Sequence, residues 1–259
     1  MQKMLETMVD AAFGAGRILK RARIEGPEWV HEKGKNDFVT AADKACEALI
    51  FEKLAMSYPH IPMLAEEGSG TASGQEGLFW CVDPLDGTNN FVHGLPVYCV
   101  SIGLIRDGKP FLGVVYDPVH DDLFTGGEGR GAQLNGRTMA TSGRTALDGA
   151  FLATGFPFKE LDNLCDYMKG FERVVQATGG LRRCGAAALD LCWTACGRFD
   201  GFWERGLWPW DTAAGAAILR AAGGELADFS GGDGFLFGRT VVAGATPELC
   251  AALGAMVRG

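Results

Sequence analysis

The stretch Trp80-Cys81-Val82-Asp83-Pro84-Leu85-Asp86-Gly87-Thr88-Asn89-Asn90-Phe91 constrains this 259-residue chain more than any other. Its first three residues read as a buried strand, and two carboxylates and a Gly-Thr pair follow within six residues. Pro84 offers no backbone N–H and Gly87 tolerates conformations other residues avoid, so strand pairing is expected to stop abruptly at this turn. Asp83 follows a buried strand, where a lone charge is costly without a partner. Two acids on so sharp a turn repel each other unless a cation sits between them, which makes the turn a metal-site candidate. The plainer reading has Asp83 in an Asx-type turn and Asp86 capping the next helix, but a cap does not need both acids. Gly87-Thr88 reads as a helix start, whose free N–H groups and dipole suit a phosphate oxygen.

A hydrophobic content of 47% lets the chain bury a substantial core, as one large domain or two small ones closely packed. The net charge of −8 argues against general nucleic-acid binding, which wants a basic face. An acidic chain that takes an anionic substrate needs local positive charge, and bound divalent cations are the obvious source. The eight cysteines, Cys46, Cys81, Cys99, Cys165, Cys184, Cys192, Cys196 and Cys250, form no C-x-x-C pair. They read as free thiols in a reducing cytoplasm. Met1 to Glu6 begin an amphipathic helix and not a signal peptide, and no apolar run is long enough to span a bilayer.

Taken in order, helical spacing predicts an amphipathic helix over about 3–22. The polar segment Glu25 to Asp37 reads as a mobile loop. Thr40 and Asp43, at capping-box spacing, open a second helix that Pro59 and Pro62 end. Met63-Leu64-Ala65 is a short strand leading to Glu66-Glu67 and the loop Gly68 to Gly77. Val97 to Ile105 and Phe111 to Tyr116 are strands joined through Asp107-Gly108, a strong hairpin signal. Asp122 to Thr125 adds a strand, and Gly126 to Gly136 reads as a glycine-rich turn region. These features give residues 1–147 the look of helices packed on a largely antiparallel sheet. In residues 148–259 strands at Ala150–Thr154, Asp200–Glu204, Glu225–Ala227 and Thr240–Ala243 alternate with helices at Leu161–Ala177, Ala186–Cys196 and Trp210–Ala222. Thr246-Pro247 starts a final helix, and the alternation suggests an α/β half. No linker separates the halves, so they are expected to form one packed body.

Several acids have a bland reading beside a chemical one. Glu66-Glu67 before a Gly-Ser loop can be a solvated strand edge. Asp211, in Trp208-Pro209-Trp210-Asp211-Thr212, reads by default as a helix N-cap. Capping explains Asp43 as well as catalysis does. Rival phosphate chemistries find less support. The acids at the turn are spaced D-x-x-D and not D-x-D, and neither a G-x-S-x-G elbow nor a G-x-x-x-x-G-K-[ST] loop occurs. Cys192 to Arg198 matches C-x-x-x-x-x-R, but mid-helix, where no loop could cradle phosphate.

Taken together, Asp83-Pro84-Leu85-Asp86-Gly87-Thr88 and Trp210-Asp211-Thr212-Ala213-Ala214-Gly215 resemble the two signatures of the inositol monophosphatase family. Glu66-Glu67, the segment Asp37 to Asp43, Gly155-Phe156-Pro157-Phe158 and Gly185 to Leu191 are similar to that family's pattern as well, in the same order. The resemblance implies an α+β/α/β fold, a layered αβαβα sandwich of the inositol monophosphatase and fructose-1,6-bisphosphatase type. It also implies a lithium-sensitive, Mg²⁺-dependent phosphomonoesterase, a homodimer, with myo-inositol monophosphate as substrate. By position, Glu66, Asp83 and the Leu85 carbonyl would hold one Mg²⁺, and Asp83, Asp86 and Asp211 a second. A third, looser ion would rest on Glu66. Gly87 and Thr88 would receive phosphate, Thr88 with Glu66 or Asp43 would position the attacking water, and Ala187, Glu204, Asp86 and Asp211 would contact substrate. Oxygen ligands without His or Cys favour Mg²⁺ over Zn²⁺. Asn89 and Ala186 stand where many relatives have Thr and Ser. Histidinol phosphate, fructose 1,6-bisphosphate and 3′-phosphoadenosine 5′-phosphate are alternative substrates for the same chemistry. Some relatives instead bind RNA or the transcription machinery.

Overall fold

The computed structural model describes residues 1–26, 30–34, 37–68, 76–158 and 161–258, with 30–34 and 37–40 as backbone only. The chain begins α1 (Gln2–Glu25), β1 (Val30–Gly34), β2 (Asp37–Thr40), α2 (Ala41–Ser57), β3 (Met63–Ala65), β4 (Leu78–Asp86) and α3 (Thr88–His93). It continues β5 (Cys99–Arg106), β6 (Lys109–Asp117), β7 (Asp122–Gly127), β8 (Gly131–Leu134) and β9 (Arg137–Met139). There follow β10 (Phe151–Thr154), a 3₁₀ turn (Leu161–Asn163), α4 (Leu164–Ala177), β11 (Gly180–Arg182), α5 (Ala187–Ala195) and β12 (Gly201–Arg205). The chain closes with α6 (Pro209–Ala221), β13 (Glu225–Ala227), α7 (Phe235–Gly238), β14 (Thr240–Gly244) and α8 (Pro247–Val257).

Strand β4 shows why the molecule is layered. Trp80 and Val82 pack with Met8 and Ala12 of α1 and Cys46 and Ile50 of α2. Phe79 and Cys81, on the opposite face, pack with Leu191 of α5 and Ala214 and Ile218 of α6. A strand covered on both faces must be apolar at every position, which is why the sequence there is a run and not an alternation. It belongs to a seven-stranded sheet in the order β3-β4-β5-β6-β7-β8-β9, antiparallel except for the β3–β4 pair. The far side of the α5–α6 layer meets Phe202, Val241 and Ala243 of a second sheet, ordered β11-β10-β12-β14-β13. The outer face of that sheet, through Leu152, Trp203 and Val242, is covered by Tyr167 and Val174 of α4 and Leu249 and Leu253 of α8. Helices, sheet, helices, sheet and helices make the expected layered αβαβα sandwich.

The middle layer approaches the first sheet closely. A Cβ on Gly113 of β6 would lie 2.2 Å from the Ala214 carbonyl oxygen, and one on Gly103 of β5 would lie 2.8 Å from Ala213 Cβ. The alanine-rich α6 thus rests on sheet backbone, and Ser101 Oγ on β5 donates to the Trp210 carbonyl at 3.3 Å. That contact fixes the start of α6 beside β5.

Local structure departs from the sequence reading in several places. Within Glu25 to Asp37, expected as a loop, β1 pairs with β2 antiparallel, Val30 opposite Thr40 and Gly34 opposite Asp37. Ladder hydrogen bonds are made by backbone, so polar side chains do not prevent pairing. Strand β4 does not stop at the Asp-Pro turn either. Asp83 pairs with Ser101 and Asp86 with Cys99, three steps on one strand against two on the other. The bulge absorbs Pro84, whose missing N–H falls where the ladder has no bond to lose. Gly126 to Gly136 is no mere turn region, since β7 runs into it and β8 and β9 add two strands. Asn135-Gly136, with φ of 51° and 76°, is the hairpin turn that joins β8 to β9. Strand β11 and helix α7 are too short to carry a periodic signal. The Thr40 half of the expected capping box and residues 69–75 of the loop Gly68 to Gly77 lie outside the described residues. Thr246 caps α8 as expected, accepting the Leu249 N–H at 3.2 Å. No helix among the described residues is long and apolar enough to cross a membrane.

Candidate active site

Register assembles the first part of the site. Ala65 of β3 pairs in parallel with Val82 of β4, so Glu66, just past the end of β3, comes beside Asp83, which β4 still holds opposite Ser101. The Glu66 N–H donates to the Val82 carbonyl at 3.3 Å. Glu67 N–H donates to Oε2 of the buried Glu47 on α2 at 2.7 Å, holding the strand end in place.

Backbone N–H groups then orient each aspartate. Asp83 Oδ1 accepts the Leu85 N–H at 2.9 Å, so the Asx turn of the plainer reading is present beside the acid cluster. Asp86 does not cap α3. That helix is capped by Gly87, whose φ of 90° and 2.8 Å Cβ approach to the Val97 carbonyl oxygen both require glycine. Asp86 Oδ2 instead accepts the Ala188 N–H at 2.7 Å, reaching the first turn of α5 across the layer boundary. Asp211 is not the N-cap of α6 but its third residue, and its Oδ2 accepts the N–H of the N-cap residue Trp208 at 2.7 Å. Pro209 takes the first helical position, so the acid falls one turn inside.

Thr88 opens α3 with Oγ1 donating to the Leu85 carbonyl at 3.0 Å and 3.4 Å from Oδ1 of the buried Asp43. Asn90 on the same helix donates through Nδ2 to the Val97 and Cys184 carbonyls at 2.7 and 2.9 Å. It ties the turn after β4 to the segment before α5.

The acids oppose one another's ionisation. Burial pushes Asp83 well above the ordinary carboxylate range, and Glu66, Asp86 and Asp211 add to it. Glu66 is pushed up to about 8, first by burial and then by Asp211. Asp86 rises to about 7 through burial, held back by the Ala188 N–H. Glu204 is likewise raised to about 8 by burial, with Arg183 opposing and Asp211 and Asp86 adding. Among the described residues no three of the candidate ligand side chains close into a ready cage. What they share is burial, hard oxygen donors and mutual repulsion, the conditions that a divalent cation such as Mg²⁺ relieves. The donor set therefore fits the expected metal.

Beside these acids lies a cavity of about 450 Å³ lined by Glu66, Asp211 and Glu204, with Arg183, Phe156 and Trp208 among its other wall residues. Trp208 stacks on Trp210, centroids 5.3 Å apart, and carries the Arg239 guanidinium 4.1 Å above its ring. Ala187, expected to contact substrate, is buried and its N–H faces Asp86, so it does not line this cavity. Sequence reading missed Glu47, Asn90 and Arg183. Glu47 had a signal, an acid one turn after Asp43 on an otherwise apolar helix face. The other two act through contacts with distant segments, and no local spacing announces them.

The family model described as "Inositol monophosphatase family" matches residues 1–258. The "Nus factor SuhB" of Pseudomonas aeruginosa is 45% identical over 252 residues, covering 95% of this chain and 93% of that protein. The "Inositol-1-monophosphatase" of Mesorhizobium japonicum is 41% identical over 244 residues, covering 93% and 91%. The crystal structure of extragenic suppressor protein suhB from Bartonella henselae superposes with a TM-score of 0.92 at 39% identity, covering 98% of this chain and 97% of that one.

Proposed function

The chain belongs to the inositol monophosphatase family, and from that premise we propose that it is a Mg²⁺-dependent phosphomonoesterase that hydrolyses myo-inositol monophosphate to inositol and phosphate. The observation that carries this reading is the gathering of the buried Asp83 and Asp86 behind Glu66 and Asp211, which with Glu204 line one cavity. The halves 1–147 and 148–259 act as one catalytic unit, the first supplying three of the acids and the second Asp211 and Glu204.

In this reading Glu66, Asp83 and the Leu85 carbonyl would hold one ion, and Asp83, Asp86 and Asp211 would hold a second, with Glu66 available to a third. Bound Mg²⁺ supplies charge neutralisation of the phosphate and makes water acidic enough to attack at neutral pH. The chain's own groups do the rest. Gly87 and Thr88 present their N–H groups to phosphate at the start of α3. The Thr88 hydroxyl, anchored on the Leu85 carbonyl and near Asp43, orients the attacking water, and Asp43 or Glu66 takes its proton. Glu204 accepts hydrogen bonds from the polyol hydroxyls.

Phosphate release from inositol, sugar, histidinol and nucleotide phosphates, with Mg²⁺ and with Li⁺ added, tests the reading. Mg²⁺-dependent turnover strongest on inositol 1-phosphate and suppressed by Li⁺ is the expected result, and turnover independent of Mg²⁺ refutes it. Sedimentation velocity checks the expected homodimer. The name "Nus factor" carried by one of the relatives above favours a second reading, a partner of the transcription machinery with secondary catalysis. An Asp86→Asn variant that lacks phosphatase activity yet restores a deletion strain, and still co-purifies with RNA polymerase, would support that one.

A further inference from the structure

We propose that Gly155 is a positioning residue for polyol selection, its missing side chain being the space in which the Glu204 carboxylate lies. The inference rests on the assignment of Glu204 to the substrate's hydroxyls.

Register brings the two residues together. Strands β10 and β12 are parallel, with Ala153 opposite Phe202 and Thr154 opposite Trp203, so Gly155 and Glu204 are the next residues along each chain. Cross-strand neighbours point to the same face, and that face opens into the cavity lined by Glu204 and by Phe156, Pro157 and Phe158. A Cβ on Gly155 would stand 1.9 Å from Glu204 Cδ and Oε1 and 2.1 Å from Oε2. No real side chain tolerates such distances, so the carboxylate occupies the volume an alanine would fill. Backbone conformation does not explain the glycine, because Gly155 is absent from the residues of positive φ.

The bed beneath is fixed. Thr154 Oγ1 is 2.8 Å from the Tyr167 hydroxyl and donates to the Trp203 carbonyl at 2.9 Å, clamping β10 to β12 just before both chains enter the cavity. The three nearest atoms all belong to the end of the Glu204 side chain, so the clash falls there. An alanine at 155 displaces the carboxylate towards the cavity and leaves the sheet where it is.

Two measurements test this on the full chain. The crystal structure of Gly155→Ala should show Glu204 in a different rotamer over unmoved β10 and β12. Steady-state kinetics with inositol 1-phosphate and Mg²⁺ should show KM raised about tenfold, with the smaller change in kcat, as expected for loss of a hydrogen bond to the substrate. In a Glu204→Ala background the same substitution should change KM by less than about twofold, because nothing remains for the Cβ to strike. An unmoved Glu204, or an equal KM increase in both backgrounds, overturns the inference. A displaced Glu204 with KM unchanged leaves the geometry standing and overturns the substrate role of Glu204, and the inference with it.

Discussion

Replacement of Asp86 by Asn separates function from stability. The Asp86 carboxyl is buried and raised from 3.8 to about 7, a figure that already includes the favourable Ala188 N–H. At pH 8 such a rise corresponds to about 4 kcal/mol by which the folded state disfavours the ionised group. Protons shared with Glu66 and Asp83 redistribute when one acid is lost, so roughly half of that, on the order of 2 kcal/mol, is the recoverable part. Asn keeps an acceptor for the Ala188 N–H and has no charge to desolvate. The variant should therefore melt higher than wild type in EDTA at pH 8, by about 4–8 °C for a chain of this size. Mg²⁺ should reverse the order. A cation at 100 times its Kd adds about 2.7 kcal/mol to a protein that binds it, and Asp86→Asn should lose most of that increment. Phosphate release should fall at least about 100-fold, because the lost charge acts where phosphate charge is neutralised. Differential scanning fluorimetry with EDTA and with Mg²⁺, beside a phosphate-release assay, reads all three. A variant less stable than wild type in EDTA, with an undiminished Mg²⁺ response, refutes the account of Asp86 as a destabilising ligand. Activity close to wild type refutes the two-metal reading.

Glu66, Asp86 and Glu204 all have folded-state pKa values raised into the range of about 7 to 8. Stability they contribute while protonated is fully present below the unfolded carboxylate range and is lost as pH rises through 7 to 8. Chelated wild-type protein should thus show a falling Tm between pH 5 and 8, and the Mg²⁺-induced rise should grow over the same interval; a flat profile in EDTA would contradict the shifts. Thr88→Val should cut kcat at least about 10-fold while Thr88→Ser retains most of it, since only the hydroxyl is placed between Leu85 and Asp43; equal losses would mean that packing matters and the hydroxyl does not. Gly87→Ala meets both the φ of 90° and the Val97 carbonyl and should cost about 2 kcal/mol or more in urea unfolding; an unchanged midpoint would show that the turn can relax.

The sequence by itself determined the chemistry at the ends of the elements. Asp83 before Pro84, Gly87 before Thr88, Asp211 after Pro209 and the Thr246-Pro247 start of α8 are local patterns whose hydrogen bonds and backbone demands are complete within a few residues. The covered strand β4 was legible for the same reason, because burial on both faces leaves a run of apolar residues. Tertiary structure alone decided which partner each acid meets. Asp86 faces the start of α5 and not its own helix, Glu47 holds Glu67, and Asn90 spans to Cys184. It also decided that β4 continues past Pro84, since the bulge depends on the strand opposite. Gly155 makes the division plain. In the sequence it stands out only as part of Gly155-Phe156-Pro157-Phe158, and the parallel register of β10 with β12 shows that its empty side holds the Glu204 carboxylate. Propensity and turn chemistry act over a few residues and can be read along the chain. Register and layer packing join segments far apart in it, and the space they leave between those segments is written in neither one alone.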